Sequence, residues 1–212
     1  MGSEKKNLTP RSKSDRVYLT TSRLIHHLSS NLDSSSTKAK LANLRNAGSR
    51  SKRDSIAAWS FIFEEMDEDF LGKSAKLTHA EKAILSTLEI YAIHQQGQSE
   101  SVNEEGEYWQ NVGYALANLR NTENTSSMDR RFNAMVTSST FEELIYYLRQ
   151  MIKLLKSKAK NTKVNYPLLA KDLYQIVSGQ QDAICFRWAT RYYEIDKKVE
   201  SEEQGKKESK EQ

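Results

Sequence analysis

At 212 residues, with 37% hydrophobic and 28% charged side chains, the chain can enclose one sizeable core or two small lobes. Two prolines and eight glycines leave long runs without breakers, and a single cysteine excludes an internal disulfide, so an all-helical protein in a reducing, cytoplasmic setting is expected. The net charge of +4 hides an alternation: residues 1–53 carry 12 Lys+Arg against 3 Asp+Glu, 54–112 carry 3 against 12, 113–193 carry 12 against 6, and 194–212 carry 5 against 7.

Residues 1–16 are basic, have no apolar period and read as a disordered arm. From Val17 the apolar residues Leu24, Ile25, Leu28 and Leu32 recur at helical spacing, and SSNLDSSST (29–37) reads as a loop. A short helix follows in KAKLANLRNAG, with Leu41 and Leu44 inward, Lys38 and Arg45 outward and Gly48 as a stop. DSIAAWSFIFEEM (54–66) is a helix apolar on most sides. Thr78 and Glu81 form a capping box for a long helix with Ala80, Ile84, Leu88, Tyr91 and Ala92 as its inner stripe. QGQSESVNEEG (96–106) is a polar loop, and YWQNVGYALANLR (108–120) a helix with Trp109, Val112, Leu116 and Leu119 inward.

NTENTSS (121–127) breaks the pattern and offers a hinge, which divides the chain into helical lobes at 17–125 and 126–196. MDRRFNAMV (128–136) is a short helix. Thr140 and Glu143 cap the clearest helix, whose stripe is Phe141, Leu144, Ile145, Leu148, Met151, Ile152 and Leu155. Pro167 opens another helix, with Leu169, Leu173, Ile176 and Val177 on its core side and Gly179 at its end. In CFRWATRYY (185–193), Cys185, Trp188, Ala189, Tyr192 and Tyr193 share one face, and Arg187 and Arg191 the other. A charged tail at 197–212 has no apolar period and reads as disordered. The expectation is an all-α, two-lobed bundle of about eight or nine helices.

Catalytic signatures are absent. The glycines are scattered rather than clustered as a phosphate-cradling loop, His26, His27, His79 and His94 lack ligand spacing, and no metal or other cofactor is expected. The acidic group Glu64, Glu65, Asp67, Glu68 and Asp69 reads as a solvated helix end or a protein-docking patch. Cys185 lies on an apolar face, where a thiol is inert. No apolar run is long enough to span a membrane.

The chemistry on offer is basic. Tyr146, Arg149, Lys153, Lys156 and Lys160 line up opposite the apolar stripe of their helix, with Arg130 and Arg131 before them and Arg187 and Arg191 after. If the polar faces of these helices merge, they form a positive groove for a single polynucleotide strand, gripping phosphates without reading bases. Tyr146 and Tyr147 stand where they can serve as core or as stacking surfaces. The alternative is a helical protein–protein adaptor that binds no nucleic acid and docks an acidic partner on the same stripe.

The pieces KLANLRNAG (40–48), YALANLR (114–120), DRRFNAMVTSSTFEELIYYLRQMIKLLK (129–156), NYPLLAKDLY (165–174) and CFRWATRYY (185–193) together resemble the CasB family, the small subunit of the type I-E CRISPR surveillance complex Cascade. The resemblance covers roughly residues 18–195. It implies a two-lobed, non-enzymatic subunit, present in two head-to-tail copies that touch CasC-type backbone and CasA-type large subunits. It also implies a basic surface that binds the displaced DNA strand beside the crRNA–target hybrid and stabilises the R-loop. Arg45, Arg120, Arg131, Arg149, Lys171, Arg187 and Arg191 stand at matching motif positions. Thr137, Ser138, Ser139 and Thr140 stand where some relatives place arginine, and their hydroxyls offer substitute phosphate contacts. The expected nucleic-acid ligands are therefore Arg45, Arg120, Arg130, Arg131, Arg149, Lys153, Lys156, Lys171, Arg187 and Arg191.

Overall fold

A computed structural model describes residues 12–47, 52–74, 76–120 and 125–208. Among these residues the regular structure is helical: α1 (Lys13–Ser29), α2 (Ser35–Ala47), α3 (Lys52–Glu65), α4 (His79–Gln95), α5 (Val112–Leu116), α6 (Thr125–Val136), α7 (Phe141–Lys158), α8 (Tyr166–Gln175) and α9 (Gln181–Glu208). Short 3-10 turns occupy Glu68–Phe70 and Ala117–Leu119, and a π turn joins α8 to α9. The all-α expectation holds. The arm at 1–11 lies outside the described residues, and helix begins earlier than the apolar period: Ser12 accepts from the Asp15 backbone N–H at 3.2 Å and opens α1 at Lys13.

The centre of the molecule is α4. The Thr78–Glu81 capping box forms as predicted, and the Glu81 carboxylate also accepts from the Gly72 N–H at 2.9 Å. Nearly every side of α4 is covered, because α1, α2, α7 and α8 all pack against it. α8, from the second half of the sequence, also packs along α1 from the first. The α7 stripe is buried as read, from Leu144 to Leu155. Thr140 caps it by accepting from Glu143 N, while the Glu143 carboxylate takes the neighbouring Ser139 N–H rather than that of the cap residue. The polar loop after α4 is tied down. Val164 N donates to Val102 O at 3.0 Å, and Tyr166 N to Asn103 Oδ1 at 3.1 Å.

Several local readings are corrected, beginning with the 29–37 loop: α2 already starts at Ser35 inside it. Helix does not begin at Tyr108: Asn111 accepts from Tyr114 N and starts α5 at Val112, so Trp109 lies outside the helix and is 41% exposed instead of inward. α6 starts at Thr125, ahead of the expected Met128. Val177 is only half-buried, because Gly179, in the left-handed region at φ 95°, turns the chain there.

The α9 face is as expected: Trp188 and Tyr192 are fully buried, and Tyr192 stacks on Phe132 of α6 at 3.7 Å between ring centroids. Gly113 lets α5 lie directly on the α9 backbone, since a Cβ there would stand 2.0 Å from the Trp188 carbonyl oxygen. α9 runs on to Glu208, so helix continues through most of the 197–212 segment expected to be disordered. None of the described helices is long and apolar enough to cross a membrane.

Candidate nucleic-acid interface

The ten basic side chains fall into separate neighbourhoods. Arg130 and Arg131 are exposed on α6 and face α7 across an open cleft of about 520 Å³. Tyr146, Tyr147 and Gln150 form the opposite wall. The two tyrosine rings meet edge to face at 5.4 Å, and Tyr146 is 58% exposed. Among the described residues, no carboxylate lines this cleft. The nearby Asp129 is engaged elsewhere, accepting from Arg120 and from the Tyr192 hydroxyl at 3.0 Å. Lys153, further along α7, is exposed. None of Arg130, Arg131 and Lys153 forms an ion pair with another described residue.

The rest of the expected α7 line turns towards α4. Arg149 pairs with Glu89, which is almost buried. Burial raises the Glu89 carboxyl, and the guanidinium opposes that rise. Lys156 donates to the Ile93 carbonyl at 3.2 Å, and burial, with Arg45 nearby, lowers its ammonium. Arg45 and Lys156 thus share a second neighbourhood, beside the end of α4. Lys160 lies past the end of α7.

A third group surrounds the loop before α5. Arg187 sits 4.5 Å from the Tyr108 ring, Lys171 5.9 Å from the same ring, and Arg191 5.8 Å from Trp109. Each cation also has an acid: Asp172 for Arg187, Asp15 for Lys171 at 2.6 Å, and Glu194 for Arg191. Asp172 is fully buried and accepts from Trp188 Nε1 at 2.6 Å as well, so one carboxylate anchors both faces of α9 to α8. Burial pushes the Asp172 carboxyl up and the Arg187 guanidinium down, so desolvation works against this pair while the hydrogen bonds hold it.

Arg120 is the most structural of the ten. Its side chain is 9% exposed, bonded to Asp129 through both Nε and Nη2, and lies over the Tyr192 and Tyr193 rings. The hydroxyls of the 137–140 stretch are largely engaged: Thr137 donates to Asn133 O, Ser138 to Met135 O, and Thr140 caps α7.

The structure therefore brings Arg130 and Arg131 together with the tyrosines, Arg45 together with Lys156, and Lys171, Arg187 and Arg191 around two aromatic rings. It does not place Arg131, Arg149 and Arg187 in a common neighbourhood. Sequence reasoning missed Tyr108, Trp109 and Gln150 as parts of the surface. Asn111 carried the missing signal for the first two, since an asparagine N-cap there leaves the residues before it outside the helix.

The family model described as CRISPR-associated protein Cse2 matches residues 40–193. Among solved structures, the chain is similar to the crystal structure of CasB from Thermobifida fusca, with a TM-score of 0.67 and 24% identity over 84% of this chain and 98% of that one. It is also similar to the crystal structure of M. ruber CasB, with a TM-score of 0.59 and 20% identity over 87% of this chain and 97% of that one. At these identities the two likenesses show a shared fold. Among curated proteins, none matches.

Proposed function

The chain belongs to the CRISPR-associated Cse2 family, and from that premise we propose that it is a non-catalytic small subunit of a cytoplasmic, type I-E RNA-guided surveillance complex. It grips the displaced DNA strand without reading its sequence and so stabilises the R-loop. Its partners are the Cascade backbone and large subunits, the crRNA–target hybrid region and a second, head-to-tail copy of itself.

One observation carries the DNA-binding reading: two exposed guanidinium groups, Arg130 and Arg131, face an exposed tyrosine in a cleft that no carboxylate lines among the described residues. Phosphates of a single strand need unpaired cations, and these offer charge without first breaking an ion pair to another described residue. Lys153 extends the set along α7. Arg149, Arg187 and Arg120 would each have to leave a carboxylate that is itself buried or half-buried, so they rank below the open cations as phosphate ligands. Lys171 and Arg191 hold more exposed acids, which a phosphate can replace at little cost.

The test is the anisotropy of a labelled oligo-dT against salt concentration. Wild-type affinity falls steeply with salt, and the triple variant R130A/R131A/K153A binds more weakly at any sequence, with a salt slope flatter by about 2. Equal binding by the variant overturns the site. No binding by the wild type at low salt replaces the DNA reading with the protein–protein adaptor.

A further inference from the structure

We propose that the α6–α7 cleft is a seat for one unstacked nucleotide, with the base against the Tyr146 ring and its phosphate held by Arg130 and Arg131. The inference rests on the strand-binding reading and adds to it a base contact that phosphate gripping does not require.

Three features point to a nucleotide. The first is the size of the cleft: about 520 Å³ falls in the range of roughly 300–1,000 Å³ that small-molecule sites occupy. The second is its division into unlike walls. Two guanidinium groups stand on α6, while an aromatic pair stands on α7, which matches the two halves of a nucleotide. The third is charge. With Asp129 drawn off by Arg120 and Tyr192, the described lining residues carry positive charge alone. The loop around Tyr108 and Trp109 has aromatic rings too, but an acid accompanies every cation there. The structure therefore favours the α6–α7 cleft over that loop as the place for a nucleotide.

Tyr146 is set for this role by its place in α7. Leu144, Ile145 and Leu148 occupy the buried face, so Tyr146 must point outward, where it is 58% exposed. Tyr147, half-buried, meets it edge to face and holds its orientation. A ring fixed in this way gives up little rotamer freedom when a base stacks on it. The Gln150 amide, one helical turn beyond Tyr146, can both donate to and accept from a base edge, so it fits any base in one of its two orientations.

The experiment compares a labelled oligo-dT with an abasic deoxyribose-phosphate strand of equal length, using the full-length chain. Wild type prefers the base-bearing strand by roughly 5- to 100-fold, the effect of one base–aromatic stack. Tyr146→Ala removes that preference while leaving the salt slope unchanged. Tyr146→Phe keeps the preference, because stacking needs the ring and not the hydroxyl. R130A/R131A lowers affinity for both strands and flattens the slope by about 1.4. Equal affinity of wild type for the two strands, or an unchanged preference in Tyr146→Ala, overturns the nucleotide seat while the phosphate-gripping surface stands. Binding of neither strand at low salt overturns the underlying reading as well.

Discussion

His94 makes the stability of this fold depend on pH in a calculable way. It lies at the end of α4, fully buried, with Nδ1 2.9 Å from the Tyr166 hydroxyl and Nε2 without a hydrogen-bond partner among the described residues. Burial, with the Lys156 ammonium nearby, pushes its imidazole down from 6.5 to about 4. The native protein therefore holds His94 neutral at pH 5, where the unfolded chain would protonate it. This is a depressed folded-state value, so its contribution is complete above about pH 6.5 and is lost as pH falls towards 4. From pH 7.5 to 4.5 the loss from this one group is about 2–3 kcal/mol, which is large against a typical total of about 5–15 kcal/mol.

His94→Gln does not titrate and keeps an amide that can bond to Tyr166. Urea unfolding of wild type and variant at pH 7.5 and 4.5 isolates the effect, because the other acids titrate alike in both and cancel. The wild type loses about 2–3 kcal/mol more than the variant over that interval. A difference between the two proteins that is the same at both pH values would show that His94 is not held neutral by its surroundings, and the argument from burial would fail.

The other predictions concern packing and the ion-pair hierarchy. Gly113→Ala destabilises by about 1–3 kcal/mol, although alanine favours helix, because its methyl group meets the α9 backbone rather than a movable side chain; an unchanged denaturation midpoint would mean that α5 and α9 lie further apart. Trp188→Ala costs about 3–5 kcal/mol by opening a cavity and leaving Asp172 one donor short. Arg187→Ala lowers thermal stability by stranding the buried Asp172 carboxylate, whereas Arg131→Ala leaves melting unchanged and weakens only DNA binding. A melting experiment on both variants separates the structural cation from the proposed ligand.

The helices and their buried faces were legible because burial follows the 3.6-residue period of one segment at a time. The stripe from Leu144 to Leu155, the Thr78–Glu81 box and the Trp188–Tyr192 face are all local patterns, and each appears in the structure. The start of α5 was misread because Trp109 is apolar enough to extend a helical period, while Asn111 ends it from outside. What stayed hidden was how each helix is turned about its axis against its neighbours. A helical wheel puts Arg149, Lys153 and Lys156 on one flank of α7, yet α4 lies close enough along that flank to take Arg149 to Glu89 and Lys156 to a carbonyl, leaving Lys153 in solvent.

The amino-acid order alone determined that this chain is a set of amphipathic helices with an excess of cations in its second half, because periodicity and charge are properties of each segment. Only the tertiary structure decided which cations remain open. An arginine is available to a phosphate when no carboxylate from another helix reaches it first, and that depends on residues far away in sequence, such as Glu89 opposite Arg149, 60 positions distant.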